Sequence, residues 1–184
     1  APFATFYALR HASLLRLNLA PHPIRLLAHL DVDPAAIDRA CAILRERNLK
    51  IMPVLFNGWH TIPDFGGFTP GQLIITRRRG EWQVERRHAE EVIGMLMEDP
   101  DSLLMVDLAN EPFCEAWRDV EQLLIRDFLE AIANHLRDKF PDIPLTIGSW
   151  GIGKEWRPLW DVDLFAPFLD VISLHCYLIP RLHT

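Results

Sequence analysis

The feature that most constrains this chain is a regular alternation of short apolar runs with segments of helical period. Between the runs, apolar side chains recur at helical spacing, as Ile37, Cys41 and Leu44 do. The apolar runs have the length of strands and occupy residues 23–30, 49–56, 103–109, 143–150 and 171–176. Strands that alternate with amphipathic helices predict an α/β domain built on a parallel sheet.

Boundary residues support this division of the chain. Asp33-Pro34 is typical of a helix start, Asn48 of a helix end, and Pro141 follows the longest helical segment. Residues 57–83 are rich in glycine and proline and are predicted to form one long loop. A loop of that length in a compact domain is usually functional or disordered. Residues 1–19 are predicted to form a helix.

Composition excludes several classes of protein. The 184 residues suffice for one domain, and the net charge of −6 argues against a nucleic-acid partner. No apolar run reaches the roughly 18 residues of a membrane helix, so no membrane partner is expected. The three cysteines lie far apart without a C-x-x-C motif, which argues against a disulfide framework or a zinc knuckle. No cofactor is expected, and the localisation stays open because a leader peptide could have been removed.

The third apolar run ends in Asn110-Glu111-Pro112. In a barrel of parallel strands, the carboxyl ends of the strands build the active site. Pro112 disfavours helical geometry at Glu111, so we expect an extended backbone there. The tripeptide alone would equally fit a polar cap on the following helix.

The fifth run ends in His175-x-Tyr177, and the strand period of two places both side chains on one face. A single histidine at a strand end is more often a core residue. Two polar strand ends, two strands apart, fit one shared site better than two unrelated positions.

Together these motifs resemble those of the clan A glycoside hydrolases, most closely the cellulase and β-mannanase family, family 5. The resemblance implies a (β/α)₈ barrel in which residues 1–184 supply strands two to six of the catalytic domain, without strands one, seven and eight. It implies that Glu111 is the general acid/base, that Asn110 contacts the sugar 2-hydroxyl, and that His175 and Tyr177 position substrate and nucleophile. Arg25 is similar to the strand-two arginine that steadies the nucleophile, although a surface arginine at the bottom of the strand fits equally well.

The resemblance is incomplete, because the family's nucleophile is a glutamate that ends strand seven. A retaining mechanism needs two carboxyl groups roughly 5–5.5 Å apart, so we expect the nucleophile to lie outside this chain. Five strands also leave two open edges. We therefore expect a longer protein, or association of chains through those edges.

Other strand ends offer contacts for an oligosaccharide or polysaccharide. Trp59 and Trp150 directly follow strands, and indole rings stack on sugar rings, although packing in the core is the common alternative. Asn57 and His60 stand at the end of the second run, where polar contacts to substrate are expected.

Two other classes of function remain open on sequence alone. Asp107, Glu111 and His175 could be metal ligands in a sugar isomerase or epimerase barrel, because carboxylates and imidazole suit divalent ions. The chain could also be a non-catalytic barrel fragment that binds carbohydrate through its tryptophans.

Overall fold

A computed structural model describes residues 25–27, 34–58, 65, 70–76, 82–112, 114, 117, 119–150 and 162–175. The strands are β1 (Arg25–Leu27), β2 (Met52–Asn57), β3 (Val106–Asn110), β4 (Leu145–Trp150) and β5 (Ser173–His175). The helices are α1 (Pro34–Glu46), α2 (Pro70–Thr76), α3 (Gln83–Leu96), α4 (Gln122–Lys139) and α5 (Val162–Phe165). Short 3₁₀ turns lie at Pro100–Ser102 and Ala166–Phe168.

The five strands form one sheet in the order β1-β2-β3-β4-β5, and every neighbouring pair is parallel. The prediction of an α/β domain with a parallel sheet is therefore confirmed. In the described part of the chain the strand order does not reverse, as it would at the switch point of a doubly wound sheet.

The centre of the sheet is covered on both faces. All five residues of β3 and the last five of β2 are buried in succession, which is the pattern of strands without a solvent face. On one side, α3 contacts both α1 and α4, so these helices form a layer. Sequential parallel strands with crossovers of one hand place their helices on the same face of the sheet.

Aromatic rings join this helix layer to the sheet. Phe128 of α4 meets Phe56 of β2 with ring centroids 5.2 Å apart, Trp82 at 5.3 Å and Trp117 at 5.9 Å. The three contacts are edge-to-face, the geometry that aromatic pairs prefer. Phe56 therefore points toward α4, which sets the direction of its neighbours on β2.

One helix end agrees with the sequence and one predicted loop does not. Asn48, two residues after the end of α1, adopts a left-handed φ of 52°, and the amide of Leu49 donates to the carbonyl of Leu44 at 2.9 Å, as expected where asparagine ends a helix. The predicted loop of residues 57–83 contains α2. Leu73 and Ile74 of α2 are buried, so tertiary packing supports a helix that is too short to be stable alone.

The remaining predicted helices are described only in part. Between β4 and β5 the structure describes α5 and a 3₁₀ turn, while residues 151–161 and the predicted helix at residues 1–19 lie outside the described residues. None of the described helices is long and apolar enough to cross a bilayer.

Candidate active site

The carboxyl ends of four strands carry four of the predicted site residues. Asn57, Asn110, Trp150 and His175 are the last residues of β2, β3, β4 and β5. Asn57 is the register partner of Asn110, and Trp150 is the partner of His175. Because the strands are parallel, these residues lie along one edge of the sheet, and Glu111 follows directly after Asn110.

Asn57 and Asn110 are both buried at this edge, with 3% and 6% of their surface exposed. Successive side chains of a strand point to opposite faces, and Phe56 points toward α4, so Asn57 faces away from the helix layer. Its partner Asn110 shares that face. Each amide can donate and accept hydrogen bonds, which suits the recognition of sugar hydroxyls.

Glu111 is buried, with 3% of its surface exposed, and has a φ of 51°. The extended backbone expected from Pro112 is therefore wrong: Glu111 lies in the left-handed region, just beyond the end of β3. Such a conformation costs on the order of 1–3 kcal/mol for a residue other than glycine and persists where its surroundings impose it. Here the Glu111 amide donates to the carbonyl of Gly148 on β4 at 2.7 Å.

A series of turns fixes the chain after Glu111. The amide of Cys114 donates to the Glu111 carbonyl at 3.0 Å, Trp117 to Cys114 at 2.9 Å and Val120 to Trp117 at 2.9 Å. The first turn brings the Cys114 thiol to 3.8 Å from Oε2 of Glu111. The buried Trp117 packs against Phe128, so this connection is anchored in the core.

Gly58 allows β2 to approach the backbone of Glu111. Its amide donates to the Asn110 carbonyl at 2.8 Å. A Cβ atom at this position would lie 1.8 Å from the carbonyl oxygen of Glu111, closer than any real contact. The site therefore requires glycine here. In the sequence, the one signal for this requirement is that Gly58 directly follows the strand-end Asn57.

Asp107 is a buried carboxylate within β3, and its Oδ1 accepts a hydrogen bond from the amide of Gly148 at 2.9 Å. From the sequence, Asp107 was predicted only as a possible metal ligand. The signal for a structural role was the charged residue itself, because charges are rare in an apolar strand unless a partner holds them. Cys114 had no comparable signal.

The structure describes the other predicted site residues only in part or not at all. Trp59, His60 and Tyr177 lie outside the described residues, and only the backbone is described at Trp150 and His175. Arg25 is the first residue of β1 and the register partner of Met52, the first residue of β2. It therefore stands at the opposite end of the sheet, about 17 Å from the level of Asn57.

Within the residues that the structure describes, no group of three His, Cys, Asp or Glu side chains is arranged to hold a metal ion. Oδ1 of Asp107 is already engaged by the Gly148 amide. The geometry at this edge is instead that of a buried carboxylate beside two buried amides.

Comparison with known proteins gives a likeness of fold. No model of a known family matches the chain, and no curated protein sequence matches it. Among solved structures, it is similar to the β-mannanase of the blue mussel Mytilus edulis, with a TM-score of 0.58 and 16% identity, covering 82% of this chain and 52% of that one. It is also similar to an exo-β-1,4-mannosidase from Opitutaceae bacterium strain TAV5, with a TM-score of 0.47 and 18% identity, covering 67% of this chain and 23% of that one.

At this identity the likeness to the mussel enzyme shows the fold alone, and the chain spans about half of that enzyme's length. The fold is therefore one that a mannan-degrading glycoside hydrolase also has.

Proposed function

We propose that this chain is part of a retaining glycoside hydrolase of family 5, which cleaves β-glycosidic bonds in mannan, glucan or a related glycoside. The observation that carries the proposal is the buried Glu111 carboxylate directly after Asn110, at the carboxyl end of a strand in a parallel sheet. The likeness of fold to a β-mannanase supports the same class.

The proposed architecture is a (β/α)₈ barrel in which β1 to β5 are strands two to six. Two observations support it: the sequential parallel strand order and the burial of β2 and β3 on both faces. A barrel interior would account for the burial of the sheet face that points away from the helix layer. In this proposal residues 1–184 are one part of a longer catalytic domain, and the open edges of the sheet pair with strands outside this chain.

In the proposed mechanism, the Glu111 carboxylic acid protonates the leaving glycosidic oxygen, while a carboxylate outside this chain attacks the anomeric carbon. The Glu111 carboxylate then removes a proton from the water that hydrolyses the glycosyl-enzyme. Asn110 would bind the 2-hydroxyl, which anchors the sugar beside the acid. Further contacts to the oligosaccharide or polysaccharide are proposed for residues at the same edge: Asn57, Trp59, His60, Trp150, His175 and Tyr177.

The test is Glu111→Gln in the full-length protein, because glutamine keeps the shape and removes the proton donor. General acid/base catalysis is worth roughly 10²–10⁴-fold, so hydrolysis of a β-linked oligosaccharide should fall by that factor. A dinitrophenyl β-glycoside needs little protonation and should still form the glycosyl-enzyme. Added azide should then restore turnover, because azide attacks without a general base.

Glu85→Gln is the matched control, since Glu85 is the other buried glutamate of the described residues and lies on α3. It should alter stability without changing the ratio of rates on the two substrates. Equal, azide-insensitive losses on both substrates in Glu111→Gln would remove Glu111 from the acid/base role. A wild-type protein that binds mannan or glucan oligosaccharides but hydrolyses none would favour the non-catalytic alternative.

A further inference from the structure

Two hydrogen bonds connect a buried carboxylate on β3 with the backbone of Glu111. The amide of Gly148 donates to Oδ1 of Asp107 at 2.9 Å. The carbonyl of the same Gly148 accepts from the amide of Glu111 at 2.7 Å. Gly148 belongs to β4. It is therefore bonded both to the side chain of Asp107 within β3 and to the backbone of Glu111 just after β3 ends.

An irregularity in the pairing of β3 with β4 explains why a side chain takes part. Asp107 is opposite Thr146, but Asn110 is opposite Gly148, so three steps along β3 match two along β4. A bulge of this kind interrupts the regular ladder and leaves a backbone group to be satisfied otherwise. The carboxylate of Asp107 supplies the acceptor for the Gly148 amide at this point.

We propose that Asp107 is a positioning residue for Glu111 and acts through Gly148; this inference rests on the acid/base role proposed above. The carboxylate holds the amide side of Gly148, and the carbonyl side of Gly148 then holds the amide of Glu111 at its left-handed φ. A strained backbone conformation needs such support. The reaction depends on it because a displacement of about 1 Å in a reacting group can cost on the order of 10²-fold in rate.

The side chain of Asp107 suits this role because its Oδ1 accepts the Gly148 amide directly at the bulge. Hydrogen bonds to carboxylates are roughly twice as strong as those to neutral oxygens. A strong bond is useful where the position of a backbone must be held closely.

The test compares Asp107→Asn and Asp107→Leu in the full-length protein, on a β-linked oligosaccharide and on the matching dinitrophenyl glycoside. Asparagine keeps a weaker oxygen acceptor, and leucine removes the acceptor. We expect oligosaccharide hydrolysis to fall about three- to tenfold in Asp107→Asn and on the order of 10²-fold in Asp107→Leu. The dinitrophenyl glycoside, which does not depend on the acid, should form its glycosyl-enzyme with rates within about twofold of the wild type.

Asp170 provides the matched control, because its Oδ2 accepts the amide of Leu145 at 2.8 Å, at the other end of β4. Asp170→Asn and Asp170→Leu should leave the ratio of rates on the two substrates unchanged. Losses in the Asp107 variants that are equal for both substrates, or the same ratio shift in the Asp170 variants, would overturn the inference.

Two further results decide how the Asp107 variants are interpreted: whether Asp107→Leu folds, and how Glu111→Gln behaves. If Asp107→Leu does not fold, Asp107→Asn decides, and an unchanged rate ratio in that variant overturns the inference. The Glu111→Gln variant keeps this test distinct from the proposed function. A selective, azide-rescued loss in Glu111→Gln together with unselective Asp107 variants would reject the positioning role alone.

Discussion

Two backbone amides of β4 donate to aspartate side chains in different surroundings. At the amino end, the Leu145 amide donates to Oδ2 of Asp170, and the same oxygen is 2.9 Å from the guanidinium of Arg137. Three residues further along β4, the Gly148 amide donates to Oδ1 of Asp107. The side chain of Asp170 is 41% exposed, whereas Asp107 has 1% of its surface exposed.

The comparison shows which end of the sheet buries polar groups at a cost to the free energy of folding. Partial burial raises the pKa of Asp170, but the Leu145 amide and the Arg137 guanidinium together outweigh it and hold the pKa below its ordinary value. That carboxylate is ionised at little cost. The carboxyl end of the sheet instead buries Glu111, Asn57 and Asn110 together, although burying polar groups opposes folding unless each finds partners. A cluster of buried polar side chains is expected of a functional site and not of a region that only stabilises the fold.

The largest effect is expected from Gly58→Ala at the carboxyl end. The new Cβ would meet the Glu111 carbonyl oxygen at 1.8 Å, and backbone atoms cannot move aside as a flexible side chain can. We expect the free energy of unfolding to fall by about 3 kcal/mol or more, together with loss of the proposed hydrolysis. Urea denaturation and rates per folded molecule measure both effects.

Gly94→Ala on α3 is the control, since a Cβ there would lie 4.0 Å from the ring of Phe140. Alanine in a helix interior should stabilise by roughly 0.5–1 kcal/mol. Equal behaviour of the two variants would contradict the close approach of β2 to Glu111.

A smaller effect is expected from Cys114→Ala, which removes the thiol 3.8 Å from Oε2 of Glu111. A thiol that donates to a carboxylate stabilises its ionised form. Without it, Glu111 should keep its proton to higher pH, so the alkaline limb of kcat/KM should move upward. The thiol is a weak donor, so we expect a change in kcat of only about threefold.

Cys41→Ala tests whether the effect of Cys114→Ala depends on the contact of the thiol with Glu111. Cys41 is also buried but lies on α1. Desolvation, with a contribution from Asp99, raises the pKa of its thiol, so it stays neutral. Its replacement should leave the pH profile unchanged; a shift as large as that of Cys114→Ala would show that the contact with Glu111 is not the cause.

The smallest effect is expected from Asp170→Asn at the amino end. Because the pKa of Asp170 is lowered from 3.8, its ionised form favours folding above that pH, and the contribution disappears as the pH falls through the lower folded value. The ion pair is well exposed, so its contribution should be only about 0.5 kcal/mol. The difference in urea midpoint between variant and wild type should be smaller at pH 2.5 than at pH 7, and a difference that does not shrink would assign it to packing.

Much of this architecture could be predicted from hydrophobic periodicity. The alternation of apolar runs predicted five parallel strands, and Asn48 marked the end of α1. The motif at Asn110 and Glu111 indicated a strand end, and register places Asn57 beside it. The helix α2 was missed because its seven residues carry too weak a local signal, and packing of Leu73 and Ile74 decides it.

The sequence by itself determined the class of fold, the order of its elements and the strand end that carries Glu111, since period and local propensity are written along the chain. Only the tertiary structure decided the left-handed backbone of Glu111, the need for glycine at residue 58 and the bond from Gly148 to Asp107. Each of these depends on the distance between atoms of different strands. Proline after Glu111 favoured an extended residue, but bonds from β4 and from the turn at Cys114 impose another geometry, because contacts between strands outweigh a local preference of the backbone.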